Sequence, residues 1–312
     1  MATSQNPYVG GSEGSPKLQQ SVIAFVDILG YKDIVEENKN SGTSDELLKK
    51  LHNTLRTSRK HVDPDQGDKK YMMEDLSAMR AFTDNIVIGY PIRGRGDAEP
   101  ELVTIFRNLS YFQMKMTMDG FFVRGAIAVG ELYMDDIVVF GVEFIEACKA
   151  EKSLARDPRI ILTDSAKEAV KKHLKYYGDP SYSPQASCLL KDCDGQYFVN
   201  YLDTIINEEW YILKKELLLH KKELLLHKLA IEKKLKKYLS KPYVWNKYVW
   251  TANYHNYFCK ELLRLDTSYQ INLDEIRVFP ALIVDPENGK WGHPNTAFDP
   301  QTLLLPAGYP YR

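Results

Sequence analysis

The chain has 312 residues, 44% hydrophobic and 27% charged, the balance of an ordinary soluble globular protein. Lysine and arginine total 41 against 42 acidic residues, and the formal net charge of -1 argues against a general nucleic-acid binder while leaving a local phosphate site open. No apolar run of about 18 residues exists and 1–20 lack the apolar centre of a secretory signal, so the expectation is a cytoplasmic protein with no membrane span.

Residues 1–18 are polar and read as a disordered arm. Val22-Ile23-Ala24-Phe25-Val26 is short, apolar and partly β-branched, which predicts a buried strand punctuated by Gly30. A helix follows the turn, and another is predicted over 44–60, with Ser44 as its cap and Leu47, Leu48, Leu51 and Leu55 as its apolar face. Residues 80–90 read as a strand region interrupted by Thr83-Asp84-Asn85, and 91–100 as a loop. A helix over 102–118 precedes strands at 121–133 and 137–140, paired as a hairpin around Asp135-Asp136. A helix over 141–152, a short strand at 159–162 and a helix capped by Thr163 or Asp164 complete the pattern. The order β-α-β-α-β-β-α-β-α predicts an α/β (α+β) sandwich with a mixed, mainly antiparallel sheet over 19–200.

The second half, 201–312, reads as a helical and aromatic extension packing on the first. KKELLLH at 214–220 recurs unchanged at 221–227, and this seven-residue period predicts an amphipathic helix over 208–239, stopped by Pro242. A packing or oligomer-contact role fits it better than a membrane surface, given Glu216, Glu223 and Glu232. The aromatic stretch at 243–258 reads as core or a domain contact, with base stacking as the alternative. A last strand-like run lies at 276–284. Cys148, Cys188, Cys193 and Cys259 form no CxxC or zinc spacing, and reduced thiols are expected.

Two acids sit where acids are expensive. Asp27 ends the first apolar strand on the same face as Ile23 and Phe25, just before a helix start whose free N–H groups suit phosphate oxygens. Asp84 interrupts the next strand region. Each has an ordinary alternative: Asp27 as a cap for the next helix, Asp84 as a hairpin tip. If their strands are neighbours, the carboxylates converge and can hold two divalent cations of the hard, oxygen-loving kind, Mg2+ or Mn2+.

At these residues the sequence resembles a known family. FVDILGY at 25–31 and FTDN at 82–85 look like the two metal motifs of class III nucleotide cyclases. VRGAIAVGE at 123–131 and FGVEFIEACKAE at 140–151 are similar to their next strand and helix, and all four follow the family's order within 22–152. The resemblance implies that Asp27 and Asp84, with the carbonyl of Ile28, bind both metals. It implies further that the Ile28–Lys32 backbone, Leu29, Gly30, Tyr31 and Lys32 included, holds the β- and γ-phosphates, and that a homodimer forms the site. The 3′-hydroxyl of a nucleoside triphosphate would then attack its own α-phosphate.

Where purine cyclases carry Asn and Arg on the helix, this chain has Ile145 and Lys149, and Val138 replaces their purine-reading Asp. With its aromatic extension at 247–259, the chain looks more like the pyrimidine cyclases of the bacterial Pycsar anti-phage system. These make cyclic UMP or cyclic CMP from UTP or CTP for a separate effector. Phe25 and Tyr31 are expected to narrow the base pocket, with plain core roles as the alternative. Arg124 is expected to touch phosphate or base, with a surface or ion-paired arginine as the alternative, and Lys149 to offset phosphate charge. Rival readings are a purine or dinucleotide cyclase, though no GG[DE][DE]F loop is present, and a non-catalytic cyclase-like binding or dimerisation module.

Overall fold

The structure, a computed structural model, describes residues 6–8, 16–62, 77–92, 98–179, 182–183, 185, 188–207 and 217–273, with three two-residue strands further on. Strand β1 (Gln19–Ile28) runs between β3 (Asn85–Pro91) and β4 (Val123–Met134), antiparallel to both. Its Ser21–Val26 run is fully covered, which explains an unbroken apolar sequence where a half-exposed strand would alternate. Strand β2 (Ala78–Phe82) forms a hairpin with β3, and β5 (Val139–Phe140) folds back on β4. Strand β6 (Ile160–Leu162) joins β4 in parallel, and β7 (Leu189–Lys191) and β8 (Tyr197–Val199) continue that side as a hairpin.

Helices α1 (Tyr31–Ser41), α2 (Ser44–Val62), α3 (Glu99–Met118), α4 (Val142–Ser153) and α5 (Asp164–Leu174) flank the sheet. After α6 (Thr204–Asn207) come α7 (Leu217–Lys237) and α8 (Pro242–Tyr257). Strands β9 (Ile283–Val284) and β10 (Trp291–Gly292) pair with each other, and β11 (Gln301–Thr302) adds to β7. Among the described strands, nine form one sheet whose pairings are antiparallel except β4 with β6. The fold is thus a mixed α/β arrangement with a mainly antiparallel sheet flanked by helices. No helix among the described residues is long and apolar enough to cross a membrane.

The period-two pattern of β1 sorts the core. Val22, Ala24, Val26 and Ile28 pack with Leu51 of α2, Phe106 and Leu109 of α3, and Val170 of α5. Ile23 and Phe25 pack on the other side with Ala147 and Ala150 of α4 and with Trp250 and Tyr254 of α8. Helix α2 begins at Ser44, so Thr43 rather than the expected Ser44 stands at its cap; Leu48 is 65% exposed and the buried face rests on Leu51.

The polar arm holds an anchor. Tyr8 is fully buried, and its hydroxyl hydrogen-bonds the Ser21 hydroxyl at 3.0 Å. Gly89 makes the room: a Cβ there would lie 2.5 Å from the Tyr8 hydroxyl.

The repeat is used on one side only. Leu224, His227, Ile231, Leu235 and Tyr238 are buried at steps of three or four residues, while Leu225, Leu226 and Leu229 are exposed. The start of the expected 208–239 helix lies outside the described residues up to 216. Pro242 does not merely stop α7; it opens α8, where its missing N–H costs nothing.

His227 belongs to a buried polar chain. Tyr201 lies 2.9 Å from His227 Nε2, His227 Nδ1 lies 2.9 Å from His255 Nδ1, and His255 Nε2 lies 2.9 Å from the Tyr269 carbonyl. The carbonyl can only accept, so His255 Nε2 carries its proton, His227 Nδ1 donates to His255, and Tyr201 donates to His227. Burial keeps both rings neutral. Burial holds His227 well below the usual histidine range, and burial with nearby Lys228 brings His255 down to about 4. The unfolded chain binds these protons near pH 6.5, so the stability from this chain is complete above that pH. It is lost as pH falls from about 6.5 towards 4. The melting temperature is expected to fall across that window, and less steeply in His227→Gln/His255→Gln. Equal slopes in both proteins would remove the histidines as the cause.

Candidate active site

Asp27 faces Asn85 on β3 and Arg124 on β4, since directly opposed residues share a sheet face. The two-residue turn Thr83-Asp84 closes the β2–β3 hairpin beside it, so Asp84 stands in the turn rather than within a strand. The Ile28 N–H donates to the Asp84 carbonyl at 2.9 Å, which ties the two acids' backbones together. Thr83 has φ 55, costly for a β-branched residue. Its hydroxyl donates to Asp84 Oδ1 at 2.8 Å, and Asn85 Nδ2 donates to the same oxygen at 2.9 Å. The strained turn thus fixes the carboxylate.

Arg124 is held by protein acceptors. Its Nε donates to Asp27 Oδ2 at 3.0 Å, its Nη2 lies 2.7 Å from Glu151 Oε1, and its Nη1 reaches the Ala155 carbonyl at 3.4 Å. Arg124 is thus an ion-paired strand arginine, and it aims Asp27. Burial raises the Asp27 carboxyl, Arg124 pulls it down, and Asp84 pushes it up again. Burial likewise raises Glu151, with Arg124 opposing and Asp27 and Asp84 adding. Negative charge is in excess here, as at sites built for cations or reacting groups. Glu151 closes the 140–151 motif, yet nothing in the sequence alone marked it out for a role.

The helix start also differs from expectation. The N–H groups of Ile28 and Leu29 are occupied by the Asp84 and Phe122 carbonyls, at 2.9 and 2.8 Å, so they cannot hold phosphate. Gly30 stands at the α1 N-cap with φ 70, a conformation that suits glycine. The first intrahelical bond runs from Ile34 N–H to the Gly30 carbonyl, leaving Tyr31, Lys32 and Asp33 without intrahelical acceptors. The Lys32 side chain is largely exposed and lies 3.8 Å from Glu36. Phe25 meets Phe144 of α4 edge-on at 5.9 Å, whereas Tyr31 packs with the opposite cluster. The two residues expected to narrow one base pocket are not brought together. Lys149 is exposed on α4, as are Val142 and Ile145.

The C-terminal extension reaches the site. Leu29 and Phe122 pack with Trp245, Tyr248 and Val249 of α8, and the Phe122 and Tyr248 rings meet edge-on at 5.0 Å. The neighbouring Lys247 ammonium is lowered by burial first and then by Arg124, against the pull of Asp157, Asp27 and Glu151.

The donor set suits a divalent cation. Asp27 and Asp84 are hard oxygen ligands in a charge-excess position, and Mg2+ or Mn2+ commonly uses one or two carboxylates plus water and substrate phosphate. Among the described residues no group of three His, Cys, Asp or Glu side chains is arranged to hold an ion. The Asp27–Asp84 pair would therefore need water or substrate oxygens to complete a shell.

Fold and site together define a mainly antiparallel α/β protein with acids gathered at the end of adjacent central strands. No protein-family model and no curated protein sequence matches the chain. Among solved structures it is similar to the adenylyl cyclase CyaB from P. aeruginosa, at 14% identity over 59% of this chain and 94% of that one, with a TM-score of 0.41. It is also similar to a class III adenylyl cyclase-like ATP-binding protein from Pseudomonas aeruginosa, at 15% identity over 49% of this chain and 35% of that one, with a TM-score of 0.38.

Proposed function

We propose that the chain is a nucleotide cyclase converting UTP or CTP to the 3′,5′-cyclic monophosphate and diphosphate. The carrying observation is the meeting of Asp27 and Asp84 at the end of β1 and the adjoining hairpin turn, beside the start of α1. In this reading Asp27, Asp84 and the Ile28 carbonyl hold two Mn2+ or Mg2+ ions. Bound there, such ions lower the pKa of the 3′-hydroxyl and offset phosphate charge. Arg124, itself braced by Glu151, keeps Asp27 aimed. The N–H groups of Gly30, Tyr31 and Lys32 meet the terminal phosphates at the helix start.

The preference for a pyrimidine is supported by Val138 and Ile145, half-exposed apolar residues that cannot hydrogen-bond a purine or ribose. A second copy of the chain is supported by the same region. Ile137 (92% exposed), Phe140 (62%) and Val142 (74%) join them in an apolar face that a partner would cover. By the resemblance, the product would serve as a messenger for a separate effector in anti-phage defence.

The test is incubation of the purified chain with each of the four triphosphates and Mn2+, products read by mass spectrometry. Cyclic UMP or cyclic CMP is expected. A cyclic purine monophosphate would overturn the base assignment, and nucleotide binding without any cyclic product would favour a non-catalytic module. Elution of the same preparation as a single protomer would remove the second copy.

A further inference from the structure

Helix α8 is fixed in rotation and height by contacts that follow Lys247 along it. Tyr248 meets Phe122 edge-on at 5.0 Å, just before β4. Trp250 Nε1 donates to the buried Asp192 at 2.5 Å, and the Tyr254 hydroxyl donates to Asn200 Oδ1 at 2.7 Å. On a helix so held, Lys247 is partly buried, with its Nζ 5.1 Å from the centre of the Tyr243 ring. Three and four residues before the buried Trp250 and Thr251, it lies on the side of α8 that packs with Phe25 and Ala150, and Asp27, Glu151 and Arg124 act on its charge. Among the described residues no carboxylate comes within ion-pair distance of it.

That arrangement is costly unless an anion visits. A cation taken partly out of water without a paired acceptor loses hydration and gains little in return. Arg124, the other cation here, has its guanidinium nitrogens committed to protein acceptors. Lys247 is the nearby cation without a carboxylate partner among the described residues, a compact charge on a flexible stem suited to phosphate oxygen.

We infer that Lys247, on the C-terminal helix α8, binds a phosphate oxygen of the substrate and of the diphosphate product, so that the extension completes the active site. The cyclase reading supplies the identity of the anion; the unpaired cation beside the acids supplies the site.

The test uses the full chain and inorganic diphosphate with Mg2+, followed by calorimetry. Lys247→Met is expected to weaken diphosphate binding about 10- to 100-fold, the weight of one charge-assisted hydrogen bond. Lys247→Arg should recover most of it, Lys236→Met, at an exposed position of α7, should bind as wild type, and Lys247→Met should melt level with or above wild type because it removes a poorly paired cation. Turnover of UTP or CTP by Lys247→Met should show a raised KM with kcat less affected. Unchanged binding by Lys247→Met, or a loss tied to a lower melting temperature that arginine does not restore, overturns the inference. So does a wild-type chain that binds no diphosphate. A wild type that binds diphosphate through Lys247 but forms no cyclic product overturns the cyclase reading and leaves the anion site standing.

Discussion

Asp27→Asn and Asp84→Asn are each expected to lower cyclic-nucleotide output by roughly 1,000-fold or more, with the fold retained. The loss follows from the role proposed for the pair, because ion-based charge stabilisation supplies several kcal/mol at the transition state and about 1.4 kcal/mol is tenfold in rate. Folding should survive for a geometric reason. At position 27, an amide oxygen can still accept from Arg124 Nε, and Arg124 keeps Glu151 and the Ala155 carbonyl. At position 84, an amide oxygen can still accept from Thr83 and Asn85. Either change removes one like charge from the Asp27, Asp84 and Glu151 group, so the metal-free melting temperature should stay level or rise. Product formation within tenfold of wild type in either variant would sink the metal assignment.

What was legible in the sequence was mostly local. The run 22–26 had to be covered on both faces, and the hairpins at 83–84 and 135–138 carry their own turn chemistry. Asp135 Oδ1, for instance, accepts from the N–H groups of Ile137 and Val138, both at 2.7 Å. Asp27 and Asp84 stood out because acids are rare beside such runs. Illegible parts depended on distant partners. Tyr8 in a polar arm has no local pattern; its burial depends on a glycine more than 80 positions away. The β7–β8 hairpin is two three-residue strands around DCDGQ, too short for periodicity to register. Lys247 was visible only as one lysine in an aromatic stretch. Its relation to Asp27 and Glu151 arises from how α8 docks.

Arg159→Met is expected to destabilise the chain by about 3–5 kcal/mol, a large share of a typical domain's stability of roughly 5–15 kcal/mol. Arg159 is fully buried at the foot of β6, and its guanidinium pairs with Asp192 and Asp194, with Asp157 at 3.9 Å. The rings of Trp250 and Phe198 lie against it, at 5.5 and 5.9 Å. One cation thus neutralises acids from two loops and stacks on α8. Burial already pushes Asp157 up to about 6 despite this partner. Methionine fills much of the volume but leaves Asp192, whose side chain is 2% exposed, as an uncompensated buried charge. Lysine should rescue poorly, since a point charge cannot span two carboxylates as the planar fork does. Adding Asp192→Asn to Arg159→Met should recover part of the loss, because the penalty comes from the orphaned charge more than from the missing bond. Trp250 also donates to Asp192, so the single variant should loosen α8 and with it the placement of Lys247. Denaturant melts of the three proteins decide the matter: an Arg159→Met midpoint equal to wild type, or no recovery in the double variant, would show that this cluster does not clamp the extension to the sheet.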